Sequence, residues 1–322
     1  YAYQGEKAIY FDTAKWPDYG RLSGQKLIDK KTAARAEVVV DQDKKQPADF
    51  ALWFFLTGRY QDHLLHWPSP WGEGFPGWHI ECSAISRKFL GQPFDLHTGG
   101  VDHIGTHHTN EMAQSEAAFG VPLANIWLHG EHLGIDAKRM GKSEGNLLTL
   151  TDLEQAGITP LAYRYWLLTA HYRSPVNFTL EAVRAAQTAL NRIKNHLVEL
   201  PDSGEVNENL KKEFIRSIND DLNTARALAV IHAETVPGMK KHSLANLTPA
   251  DEKATWLEFD KVFGLGLSDL IPIDIPADIT QLAQEREEAR KVKDWAKADQ
   301  LRQQIENLGY VVADSQTGPK LK

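Results

Sequence analysis

The chain has 322 residues, is 42% hydrophobic and 25% charged, and carries a formal net charge of −7. Those values describe an ordinary globular protein of two or three domains. They exclude a general nucleic-acid binder, which would be basic. They leave room for a local basic surface directed at one RNA. One cysteine excludes an internal disulfide framework and fits a reducing, cytoplasmic setting. No apolar run approaches the roughly 18 residues of a membrane span.

Residues 1–48 open without methionine, basic n-region or h-region, so no signal peptide is expected. Ala8–Phe11 reads as a strand that begins almost at once, as in the middle of a protein rather than its start. Val38–Val40 is a second short strand candidate, and the remainder is polar. This stretch reads as an insertion or edge element with little core.

Residues 49–76 begin with the apolar run DFALWFFL and end in WPSPWGEGFPG. Proline, glycine and tryptophan at that density make a shaped loop, either a rigid connector or a pocket wall. Ile80, Ala84, Ile85 and Phe89 fall at helical spacing over 80–90. Phe94–His97 followed by Thr98-Gly99-Gly100 predicts a strand and a glycine turn. His107–Ala118 predicts a helix and Ile126–His129 a second strand. Strand, turn, helix, strand is the unit of a parallel α/β sheet. Ligands of such sheets sit at the carboxyl ends of the strands. His97, Gly99, Gly100 and Asp102 belong there.

Beyond Asn146 the pattern turns helical. Thr159-Pro160 opens a helix over 161–169. Leu180–Leu200 is long and amphipathic. Further helices are expected at about 207–235, 249–263 and 278–308, and a short strand at 310–313. The fold class is therefore α/β followed by all-α. The organisation expected is a connective insertion over 1–48, an α/β domain over 49–150, a helical linker domain over 151–200 and a helical bundle over 201–322.

Three residues form a candidate metal set. His107 and Glu111 are four apart and project from one helical face, and Cys82 would have to meet them in space. Thiolate, imidazole and carboxylate are all zinc ligands. The competing reading is a small buried cysteine and a surface His/Glu pair. His103 and His108 compete for the same role, since only one face can point at the ion. HIGTH at 103–107 imitates the HIGH signature of class I aminoacyl-tRNA synthetases. It lies too deep in the chain to be that motif. The loop RMGKSEGN at 139–146 is either a solvated turn or a cationic loop that neutralises a leaving phosphate.

The joint pattern is more specific than its parts. GWHIECSA, DLHTGGVDHIGTHHTNEMAQSEA, WLHGEHL and RMGKSEGN, in that order, resemble the cysteinyl-tRNA synthetase family. The likeness extends upstream to YFDTAKWPDYGRLSGQ. Downstream it takes in LAYRYWLLTAHYRSPVNFT, FIRSINDDLNTARALAVI and EREEARKVKDWAKADQLR. It implies the C-terminal half of a class I Rossmann-type nucleotide-binding fold followed by a helical tRNA-binding region, the HIGH-containing half being absent.

The resemblance implies one zinc ion on Cys82, His107 and Glu111, with a fourth ligand from the absent half. It implies Trp78 and Asp102 as substrate contacts, His97, Gly99, Gly100 and Lys142 as nucleotide contacts, and Lys142 with Ser143 as catalytic. ATP, cysteine and tRNA(Cys) are the implied substrates, with magnesium beside ATP, no membrane partner and a monomeric state. Departures from the family pattern are Arg139 and Gly141 in the KMSKS-like loop, Thr98 in the glycine turn, and Thr106 and Thr109 in the PHHENE-like segment. Two alternatives share these motifs. One is a ligase joining cysteine to an amino sugar in mycothiol synthesis, which lacks the terminal tRNA-reading part. The other is a non-catalytic fragment that binds RNA or a partner.

Overall fold

The computed structural model describes residues 1–24, 41–140, 146, 148–235, 247–269, 277–308, 310, 312–315 and 318–321. The strand expected at 38–40, and Lys142 and Ser143, lie outside the described residues. Two compact units are present, 1–134 with 172–177, and 135–171 with 178–322.

The first unit starts with β1 (Ala2–Gln4), β2 (Ala8–Phe11), β3 (Phe50–Phe55) and β4 (Gly74–Pro76), joined as an antiparallel sheet in sequence order. β2 lies between two partners and all four of its residues are buried. The expectation of little core at this end is thereby corrected. Phe11 stacks on Phe50 at 5.1 Å and forms a cluster with Tyr19, Phe50 and Ala113. An aromatic, β-branched run in a central strand buries both faces, and a short sequence window does not reveal that. Asp49 closes the end of this sheet. It accepts from the Thr13 amide and hydroxyl, the Gln46 amide and the Tyr3 hydroxyl at 2.7–3.0 Å. A buried carboxylate with four donors is satisfied in place.

Helix α1 (Trp78–Phe89) follows, then β5 (Phe94–Gly100), α2 (Val101–Ile104), α3 (His107–Phe119) and β6 (Ala124–Gly130). β5 and β6 are parallel, with Leu96 opposite Ile126 and Gly99 opposite His129. The predicted β–α–β unit is present. One detail differs from expectation. The strand continues through Thr98-Gly99-Gly100 instead of turning there. Most of the apolar stripe of α1 faces outward, with Ala84, Ile85 and Phe89 exposed, while Ser83 is its buried residue.

β7 (Leu133–Ile135) and β8 (Lys138–Arg139) precede the second unit's helices. These are α4 (Leu150–Gln155), α5 (Pro160–Leu168), α6 (Leu180–Val198), α7 (Glu208–Asn219), α8 (Thr224–Thr235), α9 (Pro249–Phe263), α10 (Ala277–Lys291) and α11 (Trp295–Asn307). β9 (Val176–Phe178) precedes α6, and β10 (Val312–Ser315) pairs with β11 (Gly318–Leu321). Thr159 caps α5 by accepting from the Ala162 amide, with proline in the first turn. Two helices expected as continuous are each split. Asp221 and Leu222 take positive φ between α7 and α8, as does Lys293 between α10 and α11. Left-handed residues cannot continue a right-handed helix. Trp256, Phe259 and Phe263 on α9 fill the bundle core, with Phe214 stacked on Phe259 at 4.1 Å.

Candidate metal centre

A polar latch sets α1 against α3. Gln114 Nε2 donates to the Ser83 hydroxyl at 2.7 Å and to the His79 carbonyl at 2.6 Å. The Ser115 hydroxyl donates to Ser83 at 2.8 Å. Hydrogen bonds, unlike apolar contacts, fix one register. They place Cys82, next to Ser83, level with residues one turn earlier on α3. The same helix is held from the amino end of the unit. The Tyr19 hydroxyl donates to Asn110 at 2.6 Å, and Arg21 forks onto both Glu116 oxygens at 2.9 and 3.0 Å.

The result is that Cys82, His107 and Glu111 offer one ligand atom each within 4.8 Å of one another. His107 and Glu111 are buried and Cys82 is half-buried. Glu111 divides its carboxylate. Oε2 takes His97 Nε2 at 2.5 Å, a hydrogen bond, and Oε1 lies 2.5 Å from His107 Nε2. That second approach is close enough for an ion pair, and Oε1 has no hydrogen-bond partner. His107 turns its other nitrogen, Nδ1, to His79 Nδ1 at 2.8 Å.

A buried carboxylate oxygen without a donor costs at least about 1–3 kcal/mol. A divalent cation among these three side chains removes that cost. Sulfur, nitrogen and oxygen at this spacing suit zinc. The residues therefore fit a metal, and the His79 contact supplies the ring orientation that metal-bound histidines need. Without the cation, burial first and then the nearby Glu111 charge push the Cys82 thiol up to about 11. Burial holds His107 below the usual histidine range. Cys82 is then a protonated thiol at neutral pH, and metal binding releases its proton.

Around this set stand five more aromatic groups. Trp78 is exposed and lies over His107, ring centroids 4.1 Å apart. His97 lies between His108 at 4.5 Å and Trp127 at 4.8 Å. His108 is buried, pairs through Nδ1 with His129 Nε2 at 2.7 Å, and is driven down to about 3 by burial and the neighbouring imidazoles. Gly99 and Gly100 form the end of β5 and lead into α2, where Asp102 is exposed. A Cβ on Gly99 would stand 2.5 Å from His108 Cε1 and 2.9 Å from His103 Nδ1. The glycine admits the imidazoles.

Of the residues singled out from sequence, Cys82, His107 and Glu111 meet, and His97 and Trp78 join them. Sequence reasoning missed His79, Ser83, Gln114 and His129. His79 shares a helical face with Cys82, three residues on. His129 has a signal only once the β5–β6 register is known.

The family model for the class I (C) tRNA synthetase catalytic domain matches residues 1–188, and that for the cysteinyl-tRNA ligase anticodon binding domain matches residues 273–318. Cysteine–tRNA ligase 1 of Burkholderia lata is 44% identical, covering 100% of this chain and 66% of its own length. The cysteine–tRNA ligase of Brachyspira hyodysenteriae is 38% identical, covering 100% and 71%. The chain belongs to the cysteine–tRNA ligase family. A third relative, the cysteine–tRNA ligase of Thermus thermophilus, is 37% identical, covering 99% of this chain and 69% of its own. The chain thus spans about two thirds of the length of the family members it matches. Its architecture is that of the class I catalytic domain, α/β followed by helices. The match over 273–318 falls on α10, α11 and the terminal strands, the part that the amino-sugar ligase would lack. Among the described residues no helix is long and apolar enough to cross a membrane.

Proposed function

We propose that this chain supplies the amino-acid-selecting part of a cysteine–tRNA ligase, which activates cysteine with ATP and transfers it to tRNA(Cys). The observation that carries this reading is the meeting of Cys82, His107 and Glu111 around an orphaned carboxylate oxygen. A zinc ion held there by these three residues, with a fourth ligand from outside the chain, would supply a thiol-seeking Lewis acid that separates cysteine from serine.

In this reading the chain's own groups do the following. Trp78, lying over His107, closes one wall against the substrate side chain and excludes water. Asp102, exposed in α2, holds the substrate ammonium or the ribose. Gly99 and Gly100, at the carboxyl end of β5, let the nucleotide approach the backbone, with His97 beside them. The cysteine carboxylate attacks the α-phosphorus of ATP and pyrophosphate leaves. Lys142, with Ser143, neutralises the charge that builds on the departing phosphates, assisted by magnesium. Residues 273–318 contact the tRNA. The protein acts as a cytoplasmic monomer.

Leu96 and Ile126 face each other across β5 and β6 and are half exposed. Parallel sheets are as a rule covered on both faces and wider than two strands. Further strands from outside this chain, bringing the fourth ligand, fit that exposure.

The test is cysteine-dependent ATP–pyrophosphate exchange by the full-length gene product, with serine as control. Exchange with cysteine, none with serine, and loss in Cys82→Ser and His107→Ala are expected. Equal exchange with serine, or no exchange by a full-length protein that also fails to bind zinc, would overturn the reading.

A further inference from the structure

We propose that Arg173 binds a phosphate at the carboxyl end of β6, with the Tyr172 hydroxyl orienting it. The inference rests on the ligase reading above and adds a residue to it. Three observations carry it. First, the segment 172–177 belongs to the same compact unit as β6 and runs beside its end. The Glu131 amide donates to the Tyr172 carbonyl at 2.8 Å, and the Val176 amide donates to the His132 carbonyl at 3.1 Å. These bonds set Arg173 beside the point where the strand stops at Gly130. Its charge reaches His129. Burial first, then the His97 and His103 imidazoles, and then Arg173 hold that histidine below its usual range.

Second, the strand ends are bare. β5 and β6 finish level, with Gly100 opposite Gly130. A Cβ on Gly130 would meet nothing nearer than the Tyr172 carbonyl at 4.0 Å. Glycine in a strand marks a place where a ligand can approach the backbone, and ligands of parallel α/β sheets bind outside the carboxyl ends. Third, the guanidinium has a fixed direction. Arg173 is exposed, donates through Nε to the Tyr172 hydroxyl at 3.0 Å and lies 5.5 Å from the centroid of that ring. A guanidinium oriented through Nε engages phosphate with its terminal nitrogens, as a fork. The reaction brings phosphates from two sources, ATP and the 3′-terminal nucleotide of tRNA, and the test separates them.

The test compares the full-length gene product with its Arg173→Gln, Arg173→Lys and Tyr172→Phe variants. ATP–pyrophosphate exchange reads the ATP phosphates. Charging of tRNA at saturating ATP and cysteine reads the tRNA. Arg173→Gln should raise KM for one of these two substrates about tenfold or more, the scale of one charge-assisted hydrogen bond. KM for cysteine and the bound-zinc content should stay as in the wild type. Arg173→Lys keeps the charge without the fork and should recover part of the loss. Tyr172→Phe keeps the ring and loses the hydroxyl, and should raise the same KM about threefold with kcat unchanged. A higher KM for ATP assigns the phosphate to ATP. A higher KM for tRNA with unaltered exchange assigns it to the tRNA end. Either result upholds the inference. An equal rise in KM for cysteine would mark general damage and overturn it. Exchange and charging by Arg173→Gln with both KM values within about twofold of the wild type would also overturn it and leave the ligase reading standing. A wild-type protein without exchange would overturn both.

Discussion

Gly99→Ala tests the packing around the centre directly. The added Cβ would stand 2.5 Å from His108 Cε1 and 2.9 Å from His108 Nε2. Ordinary contact begins near 3.4 Å, so the overlap is close to an ångström. His108 cannot simply swing aside. It is buried, hydrogen-bonded to His129 at 2.7 Å and in ring contact with His97 and Trp127. Overpacking of this kind costs about 1–3 kcal/mol. Losing the His108–His129 bond would add about 1 kcal/mol. The alanine recovers only about 0.4–1 kcal/mol through the unfolded chain. The net loss expected is about 1–4 kcal/mol, read from urea unfolding of the metal-free chain. Gly130→Ala is the control. It lies opposite Gly100 in the ladder, and its Cβ would meet only the Tyr172 carbonyl at 4.0 Å. Equal midpoints for Gly99→Ala and Gly130→Ala would refute the claim that Gly99 exists to admit the imidazoles.

Two further outcomes follow from the second unit. Hydrogen bonds from Lys211 at 2.8 Å and Lys261 at 2.6 Å hold Glu258 down to about 2 from 4.5. A depressed carboxylate stabilises above its unfolded value, and that contribution fades as pH falls from 4.5 toward 2. The pair is partly solvated, so the contribution is about 1 kcal/mol or less. Glu258→Gln should flatten the acid limb of stability in that window, and an unaltered limb by calorimetric melting would contradict the assignment. Trp256 is fully buried and stands edge-on to His232, whose ring bonds the Tyr165 hydroxyl at 2.9 Å. Trp256→Ala should cost about 3–5 kcal/mol. A loss below about 1 kcal/mol, followed by helical circular dichroism, would show that α9 does not organise the bundle core.

Much of the fold was legible before any coordinates. Thr159-Pro160 announced α5 because a capping hydroxyl and a proline satisfy the first turn locally. The β5–α3–β6 unit announced itself through a short apolar strand, glycines and a second strand. The family resemblance brought Cys82, His107 and Glu111 together, whereas their spacing alone favoured a buried thiol and a surface pair. The helix breaks at 221–222 and 293 carried no comparable signal. Asp221, Leu222 and Lys293 are neither glycine nor proline, and their left-handed backbone is imposed by the turns they occupy.

What the sequence by itself determined is therefore local: where helices start, which strands run parallel, and which residue types could bind a soft metal. Tertiary structure decided what each face meets. Periodicity on α1 marks Ile80, Ala84, Ile85 and Phe89 as an apolar stripe, yet the contact with α3 is made by Ser83 and the face that carries His79 and Cys82. A hydrophobic period reports that a face is apolar, not which neighbour covers it. The division of Glu111 between His107 and His97 is likewise invisible in one dimension. It arises because β5 packs beside α3 and brings His97 to a carboxylate whose own helix carries His107, and only packing brings those two segments together.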